Sequence, residues 1–291
     1  MPELPEVQAL ASTLTQRLAG LRLAAFEIVA VSALKTADPP YTGLAGERFL
    51  GASRFGKFLA LEFTGGSWLV IHLARAGWLR LTDRVPTAPA RPGRGPLTAR
   101  LVFVTEAGEP AFALDLTEAG TRKGAAMYVV RDPSDVPGIA SLGPDALDLD
   151  AELLAGRLRG AGRARIKNAI RDQKVIAGIG NAYSDEILHA ARISPYAPAD
   201  GLGQEQYADL ADAIVAVLTT AATRAEAADP TSMKAEKKSG LVIHGHTGDP
   251  CPVCGTAIAE VALADRSFQY CPTCQTEGKP LADRRMSRLL K

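Results

Sequence analysis

The feature that most constrains this chain is its cysteine pattern. Cys251, Cys254, Cys271 and Cys274 form two Cys-x-x-Cys knuckles separated by sixteen residues, and no other cysteine occurs in 291 residues. Two knuckles at this spacing suit one closed tetrahedral zinc site, which pins a hairpin too small to fold around a core of its own. Redox pairs and two disulfides are the competing readings, and the lack of further cysteines argues against a disulfide framework. Between the knuckles, Ala257 to Ala262 and Ser267 to Tyr270 read as short strands around Ala264-Asp265-Arg266, placing an arginine near the tip. The expected cofactor is one structural zinc ion, whose four thiolate ligands leave no coordination position for chemistry.

The opposite end reads Met1-Pro2-Glu3-Leu4-Pro5-Glu6-Val7. If Met1 is removed, Pro2 becomes a secondary amine able to attack an aldehyde-level carbon, with Glu3 beside it as a proton carrier. An α-amino group has a pKa of roughly 7.7 to 8.0, so part of it is neutral at physiological pH. Val7, Leu10, Ala11, Leu14 and Leu18 then form a helical apolar stripe closed by Gly20, and the field of the helix N-terminus lowers the amine pKa further. On these seven residues alone, an ordinary helix start with Pro5 in its first turn is the simpler reading.

The remaining organisation is coarser. Arg54 to Phe63 alternates at the β period, Gly65-Gly66 makes a turn, and Trp68 to Leu73 continues as a second strand. Further strands are expected at Arg100 to Thr105, Ala111 to Leu116 and Ala125 to Val130, with Pro86 to Pro96 a surface loop and helices dominating from Ala151 to Ala228. The net charge of +1 is low for a nucleic-acid binder, but cations cluster. Arg163, Arg165, Lys167, Arg171 and Lys174 form one group, Lys234, Lys237 and Lys238 a second, and Lys279, Arg284, Arg285, Arg288 and Lys291 a third. Each alone reads equally as a solvated face. No stretch is long and apolar enough for a membrane span, and the acidic start is no signal peptide, so a cytoplasmic location is expected.

With the knuckles, the opening Pro-Glu-Leu-Pro-Glu-Val and the segment Ile166-Lys167-Asn168 through Gly178-Ile179-Gly180-Asn181-Ala182-Tyr183-Ser184-Asp185-Glu186, the chain resembles the formamidopyrimidine-DNA glycosylase and endonuclease VIII family. The resemblance implies an α+β fold: an N-terminal β-sandwich with a leading helix, then a helical domain with a helix-two-turns-helix and a four-cysteine zinc finger hairpin. The implied boundaries are 1–131 for the catalytic domain, 132–148 for a linker, 149–240 for the helical DNA-binding domain, 241–276 for the finger and 277–291 for a basic tail. It implies a glycosylase and abasic-site lyase acting on damaged double-stranded DNA, working as a monomer. Pro2, Glu3 and Lys57 take catalytic roles and Glu6 is an active-site carboxylate of less defined role, while Lys167, Asn181 and Arg266 grip the DNA backbone. Taken as residues alone, Lys57 is a solvated strand edge, and Gly178 to Asn181 is either a tight turn or a phosphate-binding helix start.

Three departures from the family pattern stand out. His72-Leu73-Ala74-Arg75 carries an arginine where the family places an apolar residue that fills the gap left by the everted base, and Asp115 to Gly124 lacks the phenylalanine of the family's second gap-filling pair. Arg75 is therefore expected to enter the gap, with Arg122 or Lys123 as the next candidates. Pro230 to Leu241 is shorter than the family's lesion-capping loop, which favours formamidopyrimidines, hydantoins or oxidised pyrimidines over 8-oxoguanine. The competing function is a catalytically silent DNA-damage-binding zinc protein. A zinc ribbon binding RNA or protein fits the cysteines but leaves Pro2 and Glu3 unexplained.

Overall fold

The computed structural model describes residues 1–91, 95–119, 123–229, 233–262 and 267–282. They form two compact units, Met1–Ser141 with Ala222–Lys234, and Leu142–Ala221 with Ala235–Lys291. The helical stretch expected to lie in one domain is thus divided, its Ala222–Lys234 segment clustering with the first unit.

The first unit opens with α1, Leu4–Arg17, whose stripe of Val7, Leu10, Ala11 and Leu14 is fully buried. Eight strands follow: β1 Arg22–Ile28, β2 Phe49–Phe55, β3 Phe58–Phe63, β4 Ser67–His72, β5 Gly77–Thr82, β6 Leu97–Val104, β7 Pro110–Glu118 and β8 Ala126–Val130. They make two antiparallel sheets of order β1-β6-β7-β5 and β2-β3-β4-β8. The strand period of two explains the layering. Along β6 and β7, Leu101, Phe103, Leu114 and Leu116 point into the core, while Arg100 and Asp115 pair across the ladder on the other face at 2.7 Å. Leu59, Leu61 and Phe63 of β3 join the same core, and the Phe49 and Phe103 rings meet edge to face at 6.4 Å, tying one sheet to the other. This is the expected sandwich.

Arg54 to Phe63 is not one strand. The chain reverses at Gly56-Lys57, where Phe55 pairs with Phe58 across a two-residue turn and Gly56 has φ 55°, as the first position of such a hairpin requires. β1 escapes a period-two reading because its register shifts between Leu23 and Ala25. The stretch expected as linker carries structure: Asp132 caps a turn at Pro133–Asp135, and α2 covers Pro137–Ala140.

The second unit contains α3 Ala151–Gly160, α4 Ile166–Ala169, α5 Asn181–Ala190, most of α6 Gln204–Ala227 and of α7 Met233–Gly240, strands β9 Ala259–Ala262 and β10 Ser267–Tyr270, and α8 Pro272–Thr276. Asp150 caps α3 by accepting the Leu153 N–H at 2.7 Å. Leu154, Leu158, Ile166, Ile170, Ile187, Leu188, Leu210 and Ile214 are buried. The stretch read as a shortened capping loop is largely the helix α7, with the Lys237 ammonium 4.5 Å from the centre of the Tyr183 ring. The start of the basic tail is fastened, Leu281 N–H donating to the Tyr270 hydroxyl and the Tyr196 hydroxyl to the Ala282 carbonyl. No described helix is long and apolar enough to cross a membrane.

Candidate active site and zinc centre

Pro2 is buried, and Glu3 and Glu6 are 2% and 1% exposed. Their burial follows from where α1 begins. Glu3 is its N-cap, in extended geometry, and the Glu6 carboxylate accepts the Glu3 N–H at 2.8 Å in a capping box. Glu6, expected as an active-site carboxylate, is therefore already engaged by the backbone beside Pro2.

Lys57 sits in the β2–β3 turn with only 9% exposure, so the expected solvated strand edge is a buried cation. Its neighbour is His72. His72 faces Phe58 across the ladder, with ring centres 4.7 Å apart. Burial, and then the charge of Lys57, push the His72 imidazole below its ordinary 6.5, leaving a neutral ring next to an ammonium.

Arg75 is exposed on the turn joining β4 to β5. The Gly77 N–H donates to the Leu73 carbonyl at 2.9 Å, and a side chain at Gly77 would meet that oxygen at 2.1 Å. Ala74 adopts a left-handed φ of 51°. Opposite Gly77 lies Glu118, a buried acid that sequence reading missed. Its carboxylate accepts from Gly124 N–H at 2.7 Å and Ala125 N–H at 3.1 Å, while Lys123 donates to its carbonyl. The signal available was an acid closing a strand just before a glycine-containing loop. Lys123 thus turns to the Glu118 carbonyl, and Arg122 lies outside the described residues.

In the second unit, one face of α5 organises the site. Asn181, Asp185 and His189 recur every four residues and share that face. The Asn181 amide donates to the Ser267 carbonyl at 2.9 Å. Asp185 accepts the Gln269 N–H at 3.2 Å, meets His244 Nδ1 at 2.6 Å and accepts from Lys167 Nζ at 2.5 Å. His189 Nε2 lies 3.2 Å from Cys251 Sγ. Adjacent Glu186 accepts the N–H groups of Val242, Ile243 and His244. Burial raises the Glu186 pKa above the ordinary carboxylate value, and those three donors oppose the rise.

Lys167, expected on the DNA backbone, is only 3% exposed and turns inward to Asp185, the Ser184 hydroxyl and the Asn181 carbonyl. The Gly178 N–H is taken by the Gln173 side chain at 3.0 Å, and Gly180 is the N-cap of α5. Beside Lys167 is a recess lined by Arg165, Asn168, Arg171 and Asn181, with Tyr196 and Phe268 as aromatic walls. The Arg165 guanidinium stacks on Tyr196 at 3.7 Å. Arg266 lies outside the described residues.

The four cysteine sulfurs all lie within 4.8 Å of one another, with Cys251–Cys274 at 3.9 Å and Cys254–Cys271 at 3.4 Å. Zn–S bonds of about 2.3 Å place tetrahedral sulfurs about 3.8 Å apart, so these residues fit one zinc ion. Hydrogen bonds from Thr256 lower the Cys254 thiol to about 6, while burial pushes the Cys271 and Cys274 thiols up. Cys251, Cys254, Cys271 and Cys274 hold a single structural zinc.

Comparison with known proteins agrees with this geometry. The formamidopyrimidine-DNA glycosylase N-terminal domain matches residues 1–122, the formamidopyrimidine-DNA glycosylase H2TH domain residues 142–232, and the zinc finger found in FPG and IleRS residues 248–276. The formamidopyrimidine-DNA glycosylase of Moorella thermoacetica is 36% identical over 274 residues, covering 90% of this chain and 94% of that protein. An uncharacterized formamidopyrimidine-DNA glycosylase-like protein of Mycobacterium tuberculosis is 59% identical over 155 residues, which are 53% of this chain and 98% of that one. The Lactococcus lactis formamidopyrimidine-DNA glycosylase, solved bound to DNA containing an abasic site, superposes with a TM-score of 0.79 at 26% identity, over 94% of this chain and 99% of that one. Fold and site define a DNA glycosylase. The chain belongs to the formamidopyrimidine-DNA glycosylase and endonuclease VIII family.

Proposed function

We propose that this chain is a bifunctional glycosylase and abasic-site lyase that removes oxidised bases from duplex DNA in base excision repair, with Pro2 as nucleophile. The observation that carries the reading is Glu3, a carboxylate 2% exposed and adjacent to Pro2, fixed as the N-cap of α1 by Glu6. After loss of Met1, the Pro2 nitrogen attacks the anomeric carbon of an everted nucleotide, and the base leaves with the electrons of the glycosidic bond. Glu3 carries the proton at the sugar, and an iminium joins Pro2 to the opened ring. Loss of a sugar proton then expels the phosphate on one side, and a second elimination expels the other, cutting the strand twice.

Lys57 supplies a cation for the phosphate beside the lesion. Asn181 and Arg266 position the backbone, joined by the recess around Arg165 and Arg171, and Arg75 enters the gap left in the duplex. Lys167 acts from within, by fixing α5. The zinc, held by its four cysteines, orders the finger. Residues 1–131 carry the chemistry, 149–240 and 241–276 the grip, and 132–148 connects them. Formamidopyrimidines, hydantoins or oxidised pyrimidines are the substrates, and the protein acts as a cytoplasmic, nucleoid-associated monomer.

Borohydride reduction of the Met1-free protein on abasic-site DNA tests this. The expected product is a covalent adduct at Pro2, found by mass spectrometry. Tight binding without an adduct would favour the catalytically silent damage-binding reading.

A further inference from the structure

Asp185 and Glu186 of α5 are held by the polypeptide, but one contact of this helix points at the metal site. His189 Nε2 lies 3.2 Å from Cys251 Sγ, and both residues are buried. Cys251 sits with Ile243, Ile258 and Cys271 in a small apolar cluster. Hydrogen bonds to a thiolate are worth more in such surroundings, where water does not compete. A zinc-bound thiolate has no proton to give, so the ring must be the donor.

We propose that His189 is an outer-sphere partner of the zinc: it donates its Nε2–H to the Cys251 thiolate and thereby ties the metal centre to the DNA-binding helix α5. The donation withdraws charge from a sulfur that would otherwise be over-rich in it. That slows the departure of Cys251 from the metal. Placement on the helix gives the contact a second consequence. His189 is the third member of the stripe whose first two members, Asn181 and Asp185, hold Ser267 and Gln269 of β10. The stripe therefore grips the finger at both its strand and its metal knuckle. Four cysteines already complete the zinc shell, so His189 needs no coordination bond to do this.

The test uses the full zinc-loaded chain with His189→Leu and His189→Gln, since a glutamine amide can still donate where a leucine cannot. Zinc transfer to a chromogenic chelator should be about tenfold faster from His189→Leu than from wild type, in line with the loss typical of outer-sphere partners. His189→Gln should recover most of the difference. Equal release from wild type and His189→Leu would overturn the proposal, as would a glutamine variant no better than leucine, which would mean that the ring only fills space. Nitrogen-15 NMR of the cadmium-substituted protein gives a readout that packing does not move. An Nε2–H tautomer without one-bond cadmium coupling is expected. An Nδ1–H tautomer, or direct cadmium–nitrogen coupling, would sink the idea. Wild-type zinc content, measured first, reports on the metal site independently of His189.

Discussion

The two units are stabilised by different physics. The first is a sandwich in which one apolar core takes Leu10 and Leu14 from α1 and Leu61, Phe103 and Leu116 from the sheets, and its described residues contain no cluster of metal ligands. The second has a helical core, but its finger is fastened by polar and metal contacts: Asp185, Glu186, Lys167, His189 and four cysteines. Apolar burial is broad and additive, whereas a buried charge network fails when one member is removed. The chemistry of the proposed reaction sits on the robust unit, and the grip on the unit that metal and protonation can loosen.

The largest expected effect concerns the first unit. Extending the chain by one residue before Pro2, after removal of Met1, converts the amine into an amide, and both base release and strand cutting should vanish while the melting temperature and DNA affinity hold. Full base excision by the extended protein would remove Pro2 from the mechanism. Glu3→Gln should lower single-turnover excision by about 10²–10⁴-fold with nearly unchanged affinity; parallel losses of rate and affinity would make Glu3 a structural residue.

Next comes the charge network. Lys167→Met leaves Asp185 without its ammonium and should cost about 3–5 kcal/mol in denaturant unfolding of the second unit. The double variant with Asp185→Asn should recover much of this. A Lys167→Met protein of wild-type stability that binds DNA weakly would instead return Lys167 to the phosphate-gripping role. Cys254→Ser should abolish stoichiometric zinc and weaken DNA binding about tenfold or more, while near-ultraviolet signals from Trp68 and Trp78 of the sandwich persist. Loss of both units together would break the contrast drawn here.

The smallest effect is at the gap. A base left unstacked forfeits roughly 1–3 kcal/mol, so Arg75→Ala should slow duplex excision of a hydantoin by about tenfold, far more than single-strand excision. It should also flatten the ranking among the four opposite bases. Unchanged duplex rates and ranking would shift attention to Arg122.

The legible parts of this molecule were local. The stripe of α1 and the spacing of the knuckles are fixed by residues three, four or a few positions apart, and both were readable from the chain. The Gly56-Lys57 reversal was hidden because the same alternation runs on either side of it. Lys167 looked like one more cation in a basic stretch, since its partner Asp185 is eighteen residues away on another helix. His189 gave no sign because nothing in its own neighbourhood points to Cys251, 62 residues away. Glu118 was easy to overlook for the opposite reason: its partners are backbone N–H groups, which carry no letter in a sequence.

The left-handed alanine at position 74 has a consequence for how the two loops flanking the candidate gap can vary. A side chain placed at Gly124 would come within 3.3 Å of the Ala74 methyl, tighter than methyl groups ordinarily approach. Between these loops a second methyl group fits only if its neighbour gives way by a few tenths of an ångström. Bulk is more easily traded from one side to the other than added. Ala74→Gly should therefore relieve a backbone conformation that suits glycine, and should make Gly124→Ala tolerable when the two are combined. Across relatives, the two positions should exchange size as a pair, leaving in their sequences a record of a contact that neither residue reveals alone.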